Sequence, residues 1–293
     1  SPLFFSFWLV LAFFFWLVSP VKMQLFPVIL PTLCVFLHLL RGGSGSTPPL
    51  AHSNQRVAVT RWLPATATWY GSPEGDGSSG GACGYGSLVD VKPFKARVGA
   101  VSPILFKGGE GCGACYKVRC LDKTICSKRA VTIIVTDQSP SGPSAKANHT
   151  HFDLSGAAFG HMAIPGHNGV IRNRGLLNIL YGRTACKYRG KNIAFHVNAG
   201  STDYWLSLLI EYEDGEGDIG SMHIRQAGSK EWIAMKHIWG ANWCIVEGPL
   251  KGPFSVKLTT LSNNKTLSAA DVIPSNWVPK ATYTSRLNFS PVL

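Results

Sequence analysis

Apolar and polar positions alternate most clearly in the second half of the chain. Ile193, Phe195 and Val197 alternate with Ala194 and His196. Farther on, Tyr204, Leu206, Leu208, Ile210 and Tyr212 share one face, while Trp205, Ser207, Leu209 and Glu211 share the other. A period of two marks a half-buried β-strand. Stretches 220–226, 231–235, 237–246 and 253–260 continue the pattern, and EDGEGD at 213–218 reads as an acidic turn. Seven or eight short strands over about 100 residues predict a β-sandwich, with Tyr204 and Trp243 in its core.

The first half shows shorter apolar runs between Gly-rich loops. Ala67–Tyr70, Cys115–Arg119 and Ala130–Thr136 (AVTIIVT) read as strands, and 71–81 and 138–149 as long loops. Phe152–Gly160 predicts a short helical turn with Asp153 as its cap. At the N-terminus, 3–18 and 25–40 are apolar, yet neither reaches the ~20 residues of a bilayer-spanning helix, and Pro20, Pro27 and Pro31 interrupt them. We read 1–52 as leader, with Met23 as the true start and a secretory signal after it. A retained signal anchor is the alternative; after cleavage no stable membrane span is expected.

Composition narrows the class. The 293 residues carry 31 Gly, 18 Pro and 9 Trp, which argues against a helical bundle, and only 15% are charged, which argues against a disordered polyelectrolyte. Residues 53–190 hold 17 Lys+Arg against 7 Asp+Glu, whereas 191–293 hold 9 of each. That shift places a boundary near Tyr188–Lys191, giving domains 53–190 and 191–293, with the positive field on the first.

Six cysteines, Cys83, Cys112, Cys115, Cys120, Cys126 and Cys186, lie in the first domain, and Cys244 stands alone. Cys112-x2-Cys115 could be a redox pair or half of a zinc site, but the required partners and context are not visible. Behind a secretion signal, an even set is most simply a disulfide framework, so the first domain is read as a small stapled β-barrel. Cys244 reads as a small buried residue.

Three clusters offer chemistry: Thr68-Trp69-Tyr70, Asp137 closing the AVTIIVT strand, and His149-Thr150-His151-Phe152-Asp153. Asp137 could instead cap the turn that follows. Alternation would aim His149, His151 and Asp153 the same way, but no fourth ligand or Glu base is near, and no metal site is predicted. Nucleotide and dinucleotide fingerprints and the nucleophile elbow are missing, so no cofactor is called for. Trp205 and Trp239 are placed on an outward sheet face, as a flat aromatic platform that a partner covers or as half-buried packing residues. Asn148, Asn264 and Asn288 head glycosylation sequons.

TWYG, GGACGYG, GCGACYKVRC, HFDLSGAAFG, GPFSVKLTT, DVIPSNW and ATYTSRLNF occur in order between Thr66 and Phe289. This set resembles the β-expansins, the plant cell-wall loosening family that includes the grass-pollen group-1 allergens. The resemblance implies an all-β chain: a six-Cys double-psi β-barrel related to inverting endoglucanases, then an immunoglobulin-like β-sandwich that binds cellulose. It also implies the pairing Cys83–Cys112, Cys115–Cys186 and Cys120–Cys126. Its groove residues fall on Thr68, Trp69, Tyr70, Asp137, His151 and Asp153, and its cellulose-binding aromatics on Trp205 and Trp239. Asp153 matches the glucanase acid, while the glucanase base is lacking, so loosening without hydrolysis is expected. β-Expansins usually carry an acidic residue just before GGACG; here Gly77-Ser78-Ser79-Gly80 stands there, with Asp76 a few residues earlier. The expected product is a secreted monomer of the cell wall that grips cellulose and matrix polysaccharides, acidic xylan among them, and no nucleic acid. A weak endoglucanase or xylanase and a plain polysaccharide-binding module are the alternatives.

Overall fold

The computed structural model describes residues 61–140 and 149–292. The leader, the Met23 start and the Asn148 sequon lie outside the described residues.

Strands β1 (Leu63–Tyr70), β2 (Val98–Val101), β3 (Cys115–Cys120), β4 (Val131–Gln138), β5 (His151–Ser155) and β6 (Leu177–Arg183) close into a barrel in the order β1-β5-β2-β4-β3-β6. The β1/β5 and β2/β4 pairs are parallel and the other neighbours antiparallel. Ala67, Val98, Val118, Ile133, Phe152, Leu154 and Ile179 fill the interior, with no exposed surface. The barrel holds the disulfides Cys83–Cys112, Cys115–Cys186 and Cys120–Cys126. Cys115–Cys186 spans 71 residues of sequence, and in the chain-entropy picture a loop of that length contributes about 4 kcal/mol. Cys244 is free and buried.

The helix expected over 152–160 begins later. Residues 151–155 are strand, and only Gly156–Gly160 is helical. Its N-cap is Ser155, whose Oγ accepts from the Ala158 N–H at 3.3 Å. Asp153 is therefore a strand residue. Burial of Phe152 and Leu154 in the barrel enforces the extended backbone against the local capping preference.

The second domain has strands β7 (Ala194–Val197), β8 (Trp205–Glu211), β9 (Ile219–Arg225), β10 (Ile233–Ala234), β11 (Lys236–Trp239), β12 (Asn242–Val246), β13 (Phe254–Thr260), β14 (Thr266–Ile273) and β15 (Thr282–Thr284). They form a four-stranded sheet, β10-β9-β13-β14, and a five-stranded sheet, β11-β12-β8-β7-β15. Phe195, Leu206, Leu208, Met222, Ile224, Phe254, Val256 and Leu258 lie fully buried between them. Trp243 is also buried, whereas Tyr204 is 64% exposed. Tyr204 sits in the turn before β8, bridged by Thr202 and Trp205, so the strand's alternation does not reach it. At the other end Tyr212 adopts φ 61°. That left-handed residue breaks the alternation and turns the ring into the barrel's aromatic cluster, 5.9 Å from Phe94 and 5.8 Å from Tyr188.

Barrel and sandwich fall within one compact unit. The acidic turn is where they meet: Glu213, Glu216 and Asp218 are 4%, 5% and 0% exposed. Arg183, leaving β6, pairs with Asp218 at 2.6 Å and donates to the Glu216 carbonyl. Cys186 and Gly215 exchange backbone hydrogen bonds. Gly113 and Gly217 press together here; a Cβ on Gly217 would lie 2.2 Å from the Gly113 carbonyl, so a side chain would wedge the domains apart. Leu209 and Ala241 of the sandwich join the barrel core.

Among the described residues no helix is long and apolar enough to cross a membrane.

Candidate functional site

The barrel site grows from the parallel pairing of β1 and β5, which sets Thr66 abreast of His151 and Thr68 abreast of Asp153. Ala65, Ala67, Phe152 and Leu154 point inward, so the intervening Thr66, Thr68, His151 and Asp153 face the other way. Their polar atoms form one hydrogen-bonded ladder. Thr66 Oγ1 lies 2.9 Å from His149 Nε2 and 2.8 Å from His151 Nδ1. Thr68 Oγ1 lies 2.9 Å from His151 Nε2 and donates to Asp153 Oδ1 at 2.8 Å.

Each hydroxyl has one proton, so the ladder has one polarity when Asp153 is ionised and His151 is neutral. Thr68 donates to Asp153 and must accept from His151 Nε2–H. His151 Nδ1 then accepts from Thr66, which accepts from His149 Nε2–H. Protonating Asp153 allows every bond to reverse. Burial pushes the Asp153 carboxyl up, against the Thr68 bond and His151, with Asp137 adding to the rise. Burial pushes the His151 imidazole down, which favours its neutral form, while Asp153 opposes that. The alternation that aligns His149, His151 and Asp153 thus inserts threonines between them, and the imidazole nitrogens facing those hydroxyls are engaged. No cluster of His, Cys, Asp or Glu suited to a metal ion occurs among the described residues.

Asp137 arrives on this face by a bulge. Val135 abreast of Gly99 points inward, and simple alternation would send Asp137 inward too. A register shift between Gly99 and Ala100 adds one residue and sets Asp137 beside Ala100, which is also abreast of Asp153. Two strand spacings separate the carboxylate-bearing residues by about 10 Å at Cα. Asp137 Oδ1 accepts from the Ala82 N–H at 2.7 Å and from Gln138 N–H at 2.8 Å. It therefore anchors the GGAC loop rather than only the turn that follows it.

Tyr70 shares the parity of Thr68. Its hydroxyl is buried without a hydrogen-bond partner among the described residues. Burial, with the charges of Asp137 and Asp153, pushes the phenol up to about 12, so it stays a donor. Trp69 takes the opposite face, packs against the barrel core and donates its indole N–H to the Arg172 carbonyl at 3.0 Å. The structure thus brings Thr68, Tyr70, His151 and Asp153 together, with Asp137 alongside, and sets Trp69 behind them. Thr66 and His149 complete the ladder and were not among the expected groove residues; the parity Thr66 shares with Thr68 was the available signal. Asp76 is held by Lys95 at 3.1 Å. Glu74, of the same loop, is held by Arg172 at 2.6 Å.

On the sandwich, Trp205 is half-buried on the outer face of β8, and Trp239 is 50% exposed at the end of β11. Registers Trp205↔Val246, Leu209↔Asn242 and Asn242↔Trp239 link the two across β12. They are offset by about 13 Å along the strands and about 10 Å across them. Between them Asn198 Nδ2 donates to Ser207 Oγ at 2.6 Å and to Asn242 Oδ1 at 2.8 Å. This polar trio was not singled out in the sequence, because only the sheet register brings it together.

The sequons separate. Asn264 is exposed at a turn with φ 54°. Asn288 spends its carboxamide nitrogen on the Tyr212 carbonyl at 2.8 Å and the Lys191 carbonyl at 3.3 Å, and its oxygen on the Asp214 N–H at 2.8 Å. In a plant-expressed protein, glycopeptide mass spectrometry is expected to find glycan on Asn264 and none on Asn288. Occupancy at Asn288 would contradict its reading as a structural strut.

Comparison with known proteins places this architecture. Residues 193–274 match the family described as Expansin C-terminal domain, and residues 98–181 the family described as Lytic transglycolase. Expansin-B1 of Arabidopsis thaliana is 96% identical over 271 residues, 92% of this chain and 100% of that protein. Expansin-B3 of the same plant is 72% identical over the same shares. Expansin-B16 of Oryza sativa subsp. japonica is 69% identical over 82% of this chain and 88% of its own length. Among solved structures, apo Clavibacter michiganensis expansin superposes with a TM-score of 0.60 at 22% identity, covering 80% of this chain and 100% of that one. A point mutant of that expansin in complex with cellohexaose gives a TM-score of 0.60 at 21% identity over the same shares. The fold is a double-psi β-barrel followed by a β-sandwich, and the chain belongs to the expansin family.

Proposed function

We propose that this expansin is a secreted, monomeric cell-wall protein that loosens noncovalent contacts between cellulose and matrix polysaccharides without cutting them. The observation that carries the reading is the ladder from His149 to Asp153, set on the outer wall of the barrel. It offers a row of donors and acceptors to sugar hydroxyls, with the Tyr70 phenol beside it. Binding of cellohexaose by a structural neighbour supports a glycan as the ligand. Trp205 and Trp239 supply the stacking platform on the sandwich. A chain held by both would exchange its hydrogen bonds to a neighbouring polymer for bonds to the protein, and wall tension would do the rest. Nothing in this step needs a nucleotide.

The matrix partner is proposed to be acidic, such as a glucuronate-bearing xylan. The barrel domain is strongly basic, and burial of Glu211, Glu213, Glu216 and Asp218 leaves the sandwich surface basic as well. Binding to such a polymer falls with added salt, because exposed charges are screened over ~8–10 Å.

One observation favours the hydrolytic alternative: Asp137 and Asp153 flank Ala100. Inverting hydrolysis needs carboxyls about 6.5–9.5 Å apart, one free to activate water. Asp137 is instead bound to two backbone N–H groups, a use that opposes service as a base. Extension of heat-inactivated wall strips under constant load, measured with reducing-end release from xylan and cellulose, tests the reading. Wild type is expected to extend the strips with no sustained release. Asp153→Asn is expected to reduce extension about ten-fold, the weight of one charge-assisted hydrogen bond. Sustained release that Asp153→Asn abolishes would establish a glycosidase. Polysaccharide binding with no added extension would leave a plain binding module.

A further inference from the structure

A second polar site lies beside the platform. The five-stranded sheet has two rows on its outer face: Glu211, Ala194 and Thr284 abreast, then Leu209, His196 and Thr282. Ala194, between two longer side chains, leaves a hollow. The barrel segment Gly84–Leu88 walls it, making a cleft of about 550 Å3 between the domains. That is within the range of small-ligand sites.

The cleft contains a buried carboxyl with nothing to hold. Glu211 is 5% exposed, lines the cleft, and makes no side-chain hydrogen bond among the described residues. Around it stand Lys191, His196, Asn198, Thr282 and Thr284. His196 Nδ1 is 2.9 Å from Thr282 Oγ1, and its imidazole is pushed down by burial, toward the neutral form. Burial pushes the Glu211 carboxyl up to about 7, against the pull of Lys191. Below that pH it offers both a donor and an acceptor. The cleft is continuous with the platform, because Gly84 on its rim lies against the Trp239 indole.

We propose that this cleft receives a neutral sugar branch from a glycan chain lying on Trp205 and Trp239. Hydroxyl, amide, imidazole and carboxyl groups in one hollow match the hydroxyl pattern of a pyranose. Lys191 lies over the Tyr212 ring, 5.4 Å from its centre, and with Glu211 protonated the other side chains of the hollow carry no charge, which suits a neutral ligand. The hollow lies to the side of the line joining the two tryptophans, where a substituent and not the backbone would enter. This inference rests on the platform reading, and two probes keep them apart.

Titration calorimetry of the secreted protein would compare cellotetraose with the xylosyl-branched heptasaccharide built on the same four-glucose backbone. Wild type is expected to bind the branched probe about ten-fold more tightly, the weight of one or two neutral hydrogen bonds. Glu211→Ala is expected to lose that preference while keeping its affinity for cellotetraose, and Glu211→Gln, which keeps a donor and an acceptor, to retain most of it. If Glu211→Ala misfolds by near-ultraviolet circular dichroism, the His196→Ala/Thr282→Val variant takes its place with the same expectation. Equal affinity for both probes in wild type, or a preference that survives these changes, overturns the branch site and leaves the platform standing. Binding of neither probe overturns both.

Discussion

Arg183→Met is expected to lower the midpoint of thermal unfolding by about 10 °C. Arg183 donates to Asp218 Oδ1 at 2.6 Å and to the Glu216 carbonyl, and its guanidinium lies 5.3 Å from the Tyr116 ring centre. Burial opposes its charge, yet Asp218 and Tyr116 outweigh that and hold it protonated. Burial likewise pushes Asp218 up against the pull of Arg183. Glu213, with neither side-chain oxygen hydrogen-bonded among the described residues, is pushed well up by burial and by Asp218. Removing Arg183 would leave Asp218 charged or force it to take a proton, with Glu216 beside it. Breaking a buried pair from one side costs about 3–5 kcal/mol, and each kcal/mol moves the midpoint about 2–4 °C in a protein of this size. The double variant Arg183→Met/Asp218→Asn is expected to recover part of the loss, since no charge is stranded. A single-variant shift below about 2 °C, in the same buffer, would mean that the ion pair does not hold the interface.

Trp205→Ala/Trp239→Ala is expected to weaken adsorption to crystalline cellulose by at least about 100-fold. Aromatic anchors at the centre of a contact typically contribute about 2 kcal/mol or more each, and their effects add when the two share no partner. Trp205→Phe, which keeps a flat ring, should retain most of the binding. Trp239 also lies against Gly84, so unfolding midpoints are measured alongside; a loss of adsorption with an unchanged midpoint is the expected result. Unchanged adsorption in the double variant would remove the platform from the reading.

The sandwich strands were legible because a two-sheet core imposes a strict period of two, from Ile193 to Val197 and from Leu206 to Ile210. The same rule failed at its ends. Tyr204 precedes the strand, and Tyr212 reverses its φ, and neither event has a periodicity to read. Half of the barrel site was legible as well. His149, His151 and Asp153 show their common face by spacing alone. Their hydrogen-bond partners do not, because Thr66 and Thr68 lie more than 80 residues away and meet them only through parallel pairing.

Charge counting misled in an instructive way. The second domain balances in sequence, but its acidic turn is drawn beneath the barrel by Arg183 and by the close approach of Gly113 and Gly217. The exposed remainder is basic. A charge count assumes that every carboxylate reaches water, and a domain interface is where that assumption fails.

The amino-acid order by itself determined the two β domains, the disulfide-stapled character of the first, and the outward placement of Trp205 and Trp239 on the second, because these depend on local period, cysteine content and motif order. Tertiary structure alone decided that Asp137 turns onto the face of Asp153, that Trp69 leaves it, and that Glu211 is buried beside a polar hollow. Each of those depends on a bulge, a register or a neighbouring domain, and such relations between distant segments exist only once the chain has closed on itself.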